Sequence, residues 1–281
     1  MSNDDFKVVT SRRRKKNNDN SVKNLLNRLE VIGSDLDDVV CQTLSVLKKH
    51  CCYDDDNGLS RFFQIIIYGI GPFTLCHVSR SQLAFIIRLI SVLKDDGTHV
   101  LVYDPVLSNT DYEILKTNFG FERIPQNEEC RRKVTSYPEK SLFFMPHLDK
   151  SLYNNLLWSN WSINMSNVVI LGNSFHGMKD HISDRIFRAE YPYIDFVLKK
   201  NILKETVLPF FDSFDDAFND LSVMSFKSID KSLSQAMQSL YSDEAPSYTS
   251  QEEVVLLDSR PDDPEETTWR RRKRHKKKKF L

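Results

Sequence analysis

The chain has 281 residues, 40% of them hydrophobic, enough to bury a sizeable core in one large domain or two small ones. Its 39 basic and 39 acidic side chains cancel, so net charge excludes neither an acidic nor a basic partner, yet both ends are strongly basic. Five cysteines without a C-x-x-C pair or a secretory leader argue against a disulfide framework, and every apolar run is too short or too polar to span a membrane.

Residues 1–20 carry the block Arg12 to Lys16 and almost nothing apolar, so they are expected to be disordered. Residues 21–55 show a helical period through Leu25, Leu29, Ile32, Leu36, Val39, Leu44 and Leu47, with a break expected at Gly33 and Ser34. This stripe is read as core-facing packing in a helical extension. Asp54 to Gly58 is a turn leading into the α/β domain, expected over 56–228.

Gln64 to Tyr68 is an unbroken apolar strand that ends in Gly69, Ile70 and Gly71. Two glycines one residue apart at a strand end allow a tight turn and close approach of a ligand, which is half of a dinucleotide or nucleoside fingerprint. The other half is incomplete. Thr74 stands where the third glycine would fall, Pro72 removes an amide, and no acid precedes Gly69. The turn therefore serves either a small-ligand pocket or a plain strand-to-helix junction.

A helix follows, capped by Ser79 or Ser81 and closed at Gly97, and then a second strand, Thr98 to Tyr103, ends in Asp104 and Pro105. This β-α-β order predicts a parallel pair with a right-handed connection and puts Asp104 on the rim with Gly69 and Gly71. There an acid either accepts bonds from ribose hydroxyls or merely ends the strand. Asn109 or Thr110 caps the next helix, which Gly120 closes, and Glu122 to Tyr137 reads as a loop with a short strand at most.

Ser141 to Met145 is a third strand, ending in Pro146 and His147; Asn167 to Leu171 is a fourth, ending in Gly172, Asn173, Ser174 and Phe175. His147 is either a general base or a hydrogen-bonded packing residue, and the asparagines crowded here serve either caps and turns or amide recognition of a ligand. A Pro192-interrupted helix comes next. Val207 to Phe211 and Ser222 to Phe226 are expected as late strands. Residues 229–281 read as a mostly disordered tail, acidic and then basic, whose run Arg270 to Lys279 suits an import receptor or a nucleic acid. The expected location is cytoplasmic and, through that run, nuclear.

The ordered set YGIGPF, VLVYDPVLS, FFMPHLDKSLYNNLLWSNW, VVILGNSF and AFNDLS resembles the SRR-like family, named for sensitivity to red light reduced, from about Phe62 to Phe226. The resemblance implies a regulatory protein linked to circadian rhythm and clock-gene expression, to light signalling in plants and to control of haem biosynthesis. It assigns no reaction, and no cofactor is named. The rim positions it singles out as ligand-binding candidates are Gly69, Gly71, Phe73 and Asp104, then His147, Asn154 and Asn155, then Asn173 and Ser174. The expected fold is a three-layer, Rossmann-like α/β domain with a mainly parallel sheet, a helical N-terminal extension and disordered charged tails. A regulator holding an unidentified partner or small ligand at the sheet rim is one reading. The alternatives are a nucleoside-cofactor enzyme such as a methyltransferase, or a nucleic-acid-associated protein working through its basic ends.

Overall fold

The computed structural model describes residues 12–51, 62–94, 97–134, 140–180, 182–209, 211 and 214–248. The Asp54 to Gly58 turn, most of the acidic stretch and the run Arg270 to Lys279 lie outside the described residues. Helix α1 spans Arg12–Asp35, so Arg12 to Asn20, expected to lack structure, are helical. Propagating a helix outward from a packed turn adds one backbone bond per residue fixed, and no Gly or Pro interrupts residues 12–32. The break before α2 (Asp37–Cys51) falls at Leu36, just after Gly33 and Ser34. Leu25, Leu29, Leu36, Val39 and Leu47 are buried in one cluster with the helix after the first strand, which fits the core-facing reading of the stripe.

The strands are β1 (Phe62–Tyr68), β2 (His99–Tyr103), β3 (Glu122–Arg123), β4 (Lys140–Met145), β5 (Val168–Asn173), β6 (Leu203–Val207) and β7 (Leu221–Phe226). They form one sheet in the order β3-β2-β1-β4-β5-β7-β6, parallel except for β7, which runs against both neighbours. The expected strand from Val207 to Phe211 is displaced to Leu203–Val207. In LKETV three consecutive polar residues separate Leu203 from Val207, which suits an edge strand, so a search for apolar runs passes over it.

Successive strands progress outward in both directions from the β1/β4 pair, and right-handed connections then place their helices on opposite faces. Helices α3 (His77–Leu93) and α4 (Asn109–Phe119) follow β1 and β2, and Ile65, Ile67, Val102, Leu142 and Leu171 pack with them, α1 and α2 in the same cluster. The alternate residues Ile66, Tyr68, Phe143 and Ile170 are buried outside that cluster, on the face crossed by α5 (Lys150–Ser159). After β5 come α6 (Phe175–Asp180), α7 (Asp184–Glu190) and α8 (Pro192–Lys199), with Pro192 at the first helical position, where its missing N–H costs nothing.

Local caps differ from expectation in detail. Ser108, not Asn109 or Thr110, caps α4, in a reciprocal box with Asp111, and Gly120 closes it at φ 71°. Cys76 precedes α3, and Ser79 lies within its first turn. The expected tail is ordered as far as 248: α9 (Asp215–Phe218) precedes β7, and α10 (Lys231–Gln238) follows it, capped by Asp230.

Candidate functional site

Strand order reverses between β1 and β4, and in open α/β sheets ligands bind outside the carboxyl ends of the strands at such a point. On the β1 side this edge is filled by the protein itself. Gly69 and Gly71 have φ of 71° and 73°, the left-handed region that a side chain strains. A Cβ on Gly69 would lie 2.3 Å from Leu148 Cδ2, and one on Gly71 2.3 Å from Ser79 Oγ. The glycines thus admit a leucine and a serine of this chain. Phe73 is fully buried in the core.

Asp104 is likewise occupied. One carboxylate oxygen accepts from Gly71 N at 2.7 Å and the other from Val106 N at 2.8 Å, and the residue is 5% exposed. Its backbone N–H donates to Tyr112 Oη at 3.0 Å. Asp104 is a staple between the two rim loops. Cys76, beside them, has its thiol held below the usual range, chiefly by the Ser79 backbone N–H in the first turn of α3.

The β4 and β5 side is built otherwise. His147 has φ 54°, a left-handed conformation rare for a residue with a side chain. Asn173 Oδ1 holds it there, accepting from His147 N at 2.6 Å. Tyr153 Oη sits between Asn173 and the Met145 carbonyl and accepts from Asn173 N at 2.9 Å. Gly172 leaves room for this: a Cβ there would lie 2.6 Å from Tyr153 Oη. The His147 ring puts Nε2 3.1 Å from the Ala217 carbonyl, which can only accept, so Nε2 carries a proton and Nδ1 is the acceptor of the neutral ring.

Beyond this network opens a cavity of about 460 Å³ lined by His147, Leu148, Asp149, Lys150, Asn173, Ser174, Gly177, Met178 and Asp220. Its walls are polar and of mixed charge: an imidazole, an ammonium, two carboxylates, an amide and a hydroxyl. Asp149 also caps α5 through Ser151 N at 2.8 Å, and Ser174 Oγ accepts from Gly177 N at 2.9 Å. Ser174 N donates to the Asp220 carbonyl at 3.0 Å, tying the end of β5 to the start of β7.

Of the sequence candidates, His147, Asn173 and Ser174 line this cavity; Gly69, Gly71, Phe73 and Asp104 do not. Asn154 and Asn155 lie elsewhere and are buried. Asn154 Oδ1 accepts from Tyr193 N and Ile194 N in the first turn of α8, and Asn155 Nδ2 donates to the Glu129 carbonyl. Leu148, Asp149, Lys150 and Asp220 were not singled out. The sequence signal for them was their place in quoted motifs, Leu148 to Lys150 in FFMPHLDKSLYNNLLWSNW and Asp220 in AFNDLS. Among the described residues no group of three His, Cys, Asp or Glu side chains is placed to hold a metal ion, and no helix is long and apolar enough to cross a membrane.

A mouse SRR1-like protein is 42% identical over 130 residues, 46% of this chain and 51% of its own length. The Arabidopsis thaliana Protein SENSITIVITY TO RED LIGHT REDUCED 1 is 34% identical over 127 residues, 45% of each chain. The chain thus spans about half the length of these curated relatives. Among solved structures, an N,N-8-amino-8-demethyl-D-riboflavin dimethyltransferase from Streptomyces davawensis overlaps 58% of this chain and 48% of its own at 10% identity and a TM-score of 0.33. The SRR1 domain model matches residues 34–225, a span that runs from the end of α1 into β7 and holds the whole rim network, and the chain belongs to the SRR1 domain family.

Proposed function

We propose that the chain is a regulatory protein of the SRR-like kind, acting on clock-gene expression and on haem biosynthesis by binding a small ligand or a polar group of a partner in the cavity past β4 and β5. The observation that carries the binding site is His147. A non-glycine residue in the left-handed region costs of order 1 kcal/mol or more, and such strain persists where surrounding contacts over-determine it, commonly at ligand sites. Asn173 and Ala217 fix both ends of this residue at the mouth of a cavity whose volume suits a small metabolite.

The test is calorimetric titration of the full chain with S-adenosyl compounds, nicotinamide dinucleotides and haem, repeated on His147→Gly. Glycine relieves the backbone strain while losing one hydrogen bond, so melting should move by no more than about 3 °C, the balance of two terms near 1 kcal/mol. Binding of one class to the wild type and its loss in the variant would support the cavity. Equal binding by both proteins would sink it.

A nucleoside-cofactor enzyme is the second reading, favoured by strand reversal at the β1/β4 edge. Against it stand Asp104, whose oxygens already bind Gly71 and Val106, and Leu148, which fills the space over Gly69. Binding of S-adenosyl compounds that survives His147→Gly and is lost in Asp104→Asn would favour it.

A further inference from the structure

We infer that the occupant of the cavity past β4 and β5 is a free basic amino acid, a molecule with two positive groups and one carboxylate. The inference rests on the reading of that cavity as a binding site and names the class of its ligand. At about 460 Å³ the cavity is in the range of small-ligand pockets, and Asp149, Lys150 and Asp220 are the charged side chains on its walls. With the His147 ring neutral, those walls carry two negative charges and one positive. A ligand that answers each of them bears two cations and one anion.

These charges are not spent on one another. Among the described residues none of the three side chains forms an ion pair. Asp149 gives Oδ1 to the Ser151 N–H at 2.8 Å and keeps Oδ2. Asp220 is held by its main chain, at φ 57° and with its carbonyl accepting from Ser174 N at 3.0 Å, so its carboxylate is left for the cavity. Ser174 is 6% exposed; its Oγ accepts from Gly177 N at 2.9 Å, and its hydroxyl proton has no acceptor among the described residues. A buried hydroxyl ordinarily donates as well as accepts, so this proton suits a carboxylate in the cavity.

The placement of the charges selects the ligand further. Asp149 and Lys150 are neighbours at the start of α5, which matches the head of an amino acid, where ammonium and carboxylate share one carbon. The carboxylate meets Lys150 at the positive end of the α5 dipole, and the α-ammonium meets Asp149 Oδ2. Asp220 stands before β7, two strands from β4 across β5, on the order of 10 Å at the usual strand spacing. An extended lysine or arginine, with a hydrogen bond at each end, spans a similar distance and brings its side-chain cation to Asp220. Leu148 and Met178 line the cavity as well and give the methylene stem apolar contact. A phosphate ester would bring more negative charge to walls that are already net negative, and a polyamine would leave Lys150 facing a cation. A lysine within a peptide has lost the charges on its α carbon, so the free amino acid is the form that fits.

The test is calorimetric titration of the full chain with lysine and arginine, and with analogues of lysine that each lack one charge. Norleucine lacks the side-chain cation, lysine amide the carboxylate and Nα-acetyl-lysine the α-ammonium. Each analogue should bind roughly tenfold more weakly than lysine or worse, the worth of one charge-assisted hydrogen bond. In Asp220→Asn, whose new side chain also tolerates a left-handed backbone, lysine should bind no better than norleucine does to the wild type. In Lys150→Met it should bind no better than lysine amide. Should either variant fail to fold, the analogue series on the wild type decides alone. Lysine binding that both variants keep would overturn the inference, as would analogues that match lysine or inorganic phosphate that binds more tightly. Binding of an S-adenosyl compound, a nicotinamide dinucleotide or haem that His147→Gly abolishes, with none by lysine or arginine, would overturn the ligand class and leave the cavity reading standing. Silence from every compound would overturn both.

Discussion

The carboxyl edge of the sheet has two halves, and they differ in what stands over them. Past β1 and β2 the glycine turn receives Leu148 and Ser79, while Asp104 bonds the turn to its neighbour loop. Past β4 and β5 a strained histidine, held by an asparagine, faces an open cavity. A glycine pair and an acid at adjacent strand ends are equally useful for packing backbone closely and for approaching a ligand. What decides between the uses is whether a side chain from elsewhere already fills the space.

The contrast can be broken most sharply at Gly172. Alanine there would set a Cβ 2.6 Å from Tyr153 Oη and 3.0 Å from the Met145 carbonyl, forcing the anchor of the open half apart. The expected loss is about 2–4 kcal/mol in urea unfolding. A loss below roughly 1 kcal/mol would mean that the anchor yields and that nothing fixes His147.

The sealed half is tested by coupling. Gly69→Ala strains φ 71° and strikes Leu148, costing about 2 kcal/mol, and Leu148→Ala alone costs about 1–2 kcal/mol. Because the two share one space, the double variant should recover about 1 kcal/mol of the summed loss. Strict additivity would show that Leu148 does not seal the turn.

Asp104→Asn keeps the shape of the staple but loses its charge and one acceptor, for about 1 kcal/mol. Its more direct readout is hydrogen exchange at the Gly71 amide, which should quicken severalfold. Unchanged exchange would leave the 2.7 Å bond without energetic weight.

The smallest effect concerns a histidine away from both halves. His50 on α2 places Nδ1 2.9 Å from Ser225 Oγ and Nε2 2.9 Å from Thr206 Oγ1, and burial, with the nearby Lys204 charge, lowers its pKa to about 4. The unfolded chain takes up this proton near pH 6.5, before the folded one does. The contribution is therefore complete above pH 6.5 and is lost as pH falls towards 4. Allowing for solvent, the loss between pH 7 and 5.5 should be about 1 kcal/mol or less, and absent in His50→Gln. Persistence of the same loss in that variant would place its origin in other groups.

Much of the fold was legible because β1, β4 and β5 are buried on both faces and β2 on one, and all four read as near-continuous apolar runs: IIIY, VLVY, LFFM and VVIL. The edge strand LKETV and the helix α10 were not. The first sets three polar residues between Leu203 and Val207, and the second is held by one buried methionine and an indole bond to that residue's carbonyl, neither of which leaves an apolar period in the sequence. Of the site, His147, Asn173 and Ser174 could be read from their place at strand ends. The meaning of Gly69 could not, since Leu148 lies 79 positions further along. Nor could that of Asn154, whose partners Tyr193 and Ile194 lie 39 and 40 residues away.

The position of β7 has a consequence for the order in which the molecule is made. The strand is inserted between β5 and β6, so until Leu221–Phe226 has been synthesised β5 keeps an open edge and β6 has no neighbour to pair with. The same strand receives His50 from α2 through Ser225, so a helix made early waits for one of the last strands of the domain. Long-range pairing of this kind slows folding. A nascent chain halted before residue 221 therefore exposes an apolar β5 edge and an unsupported α2.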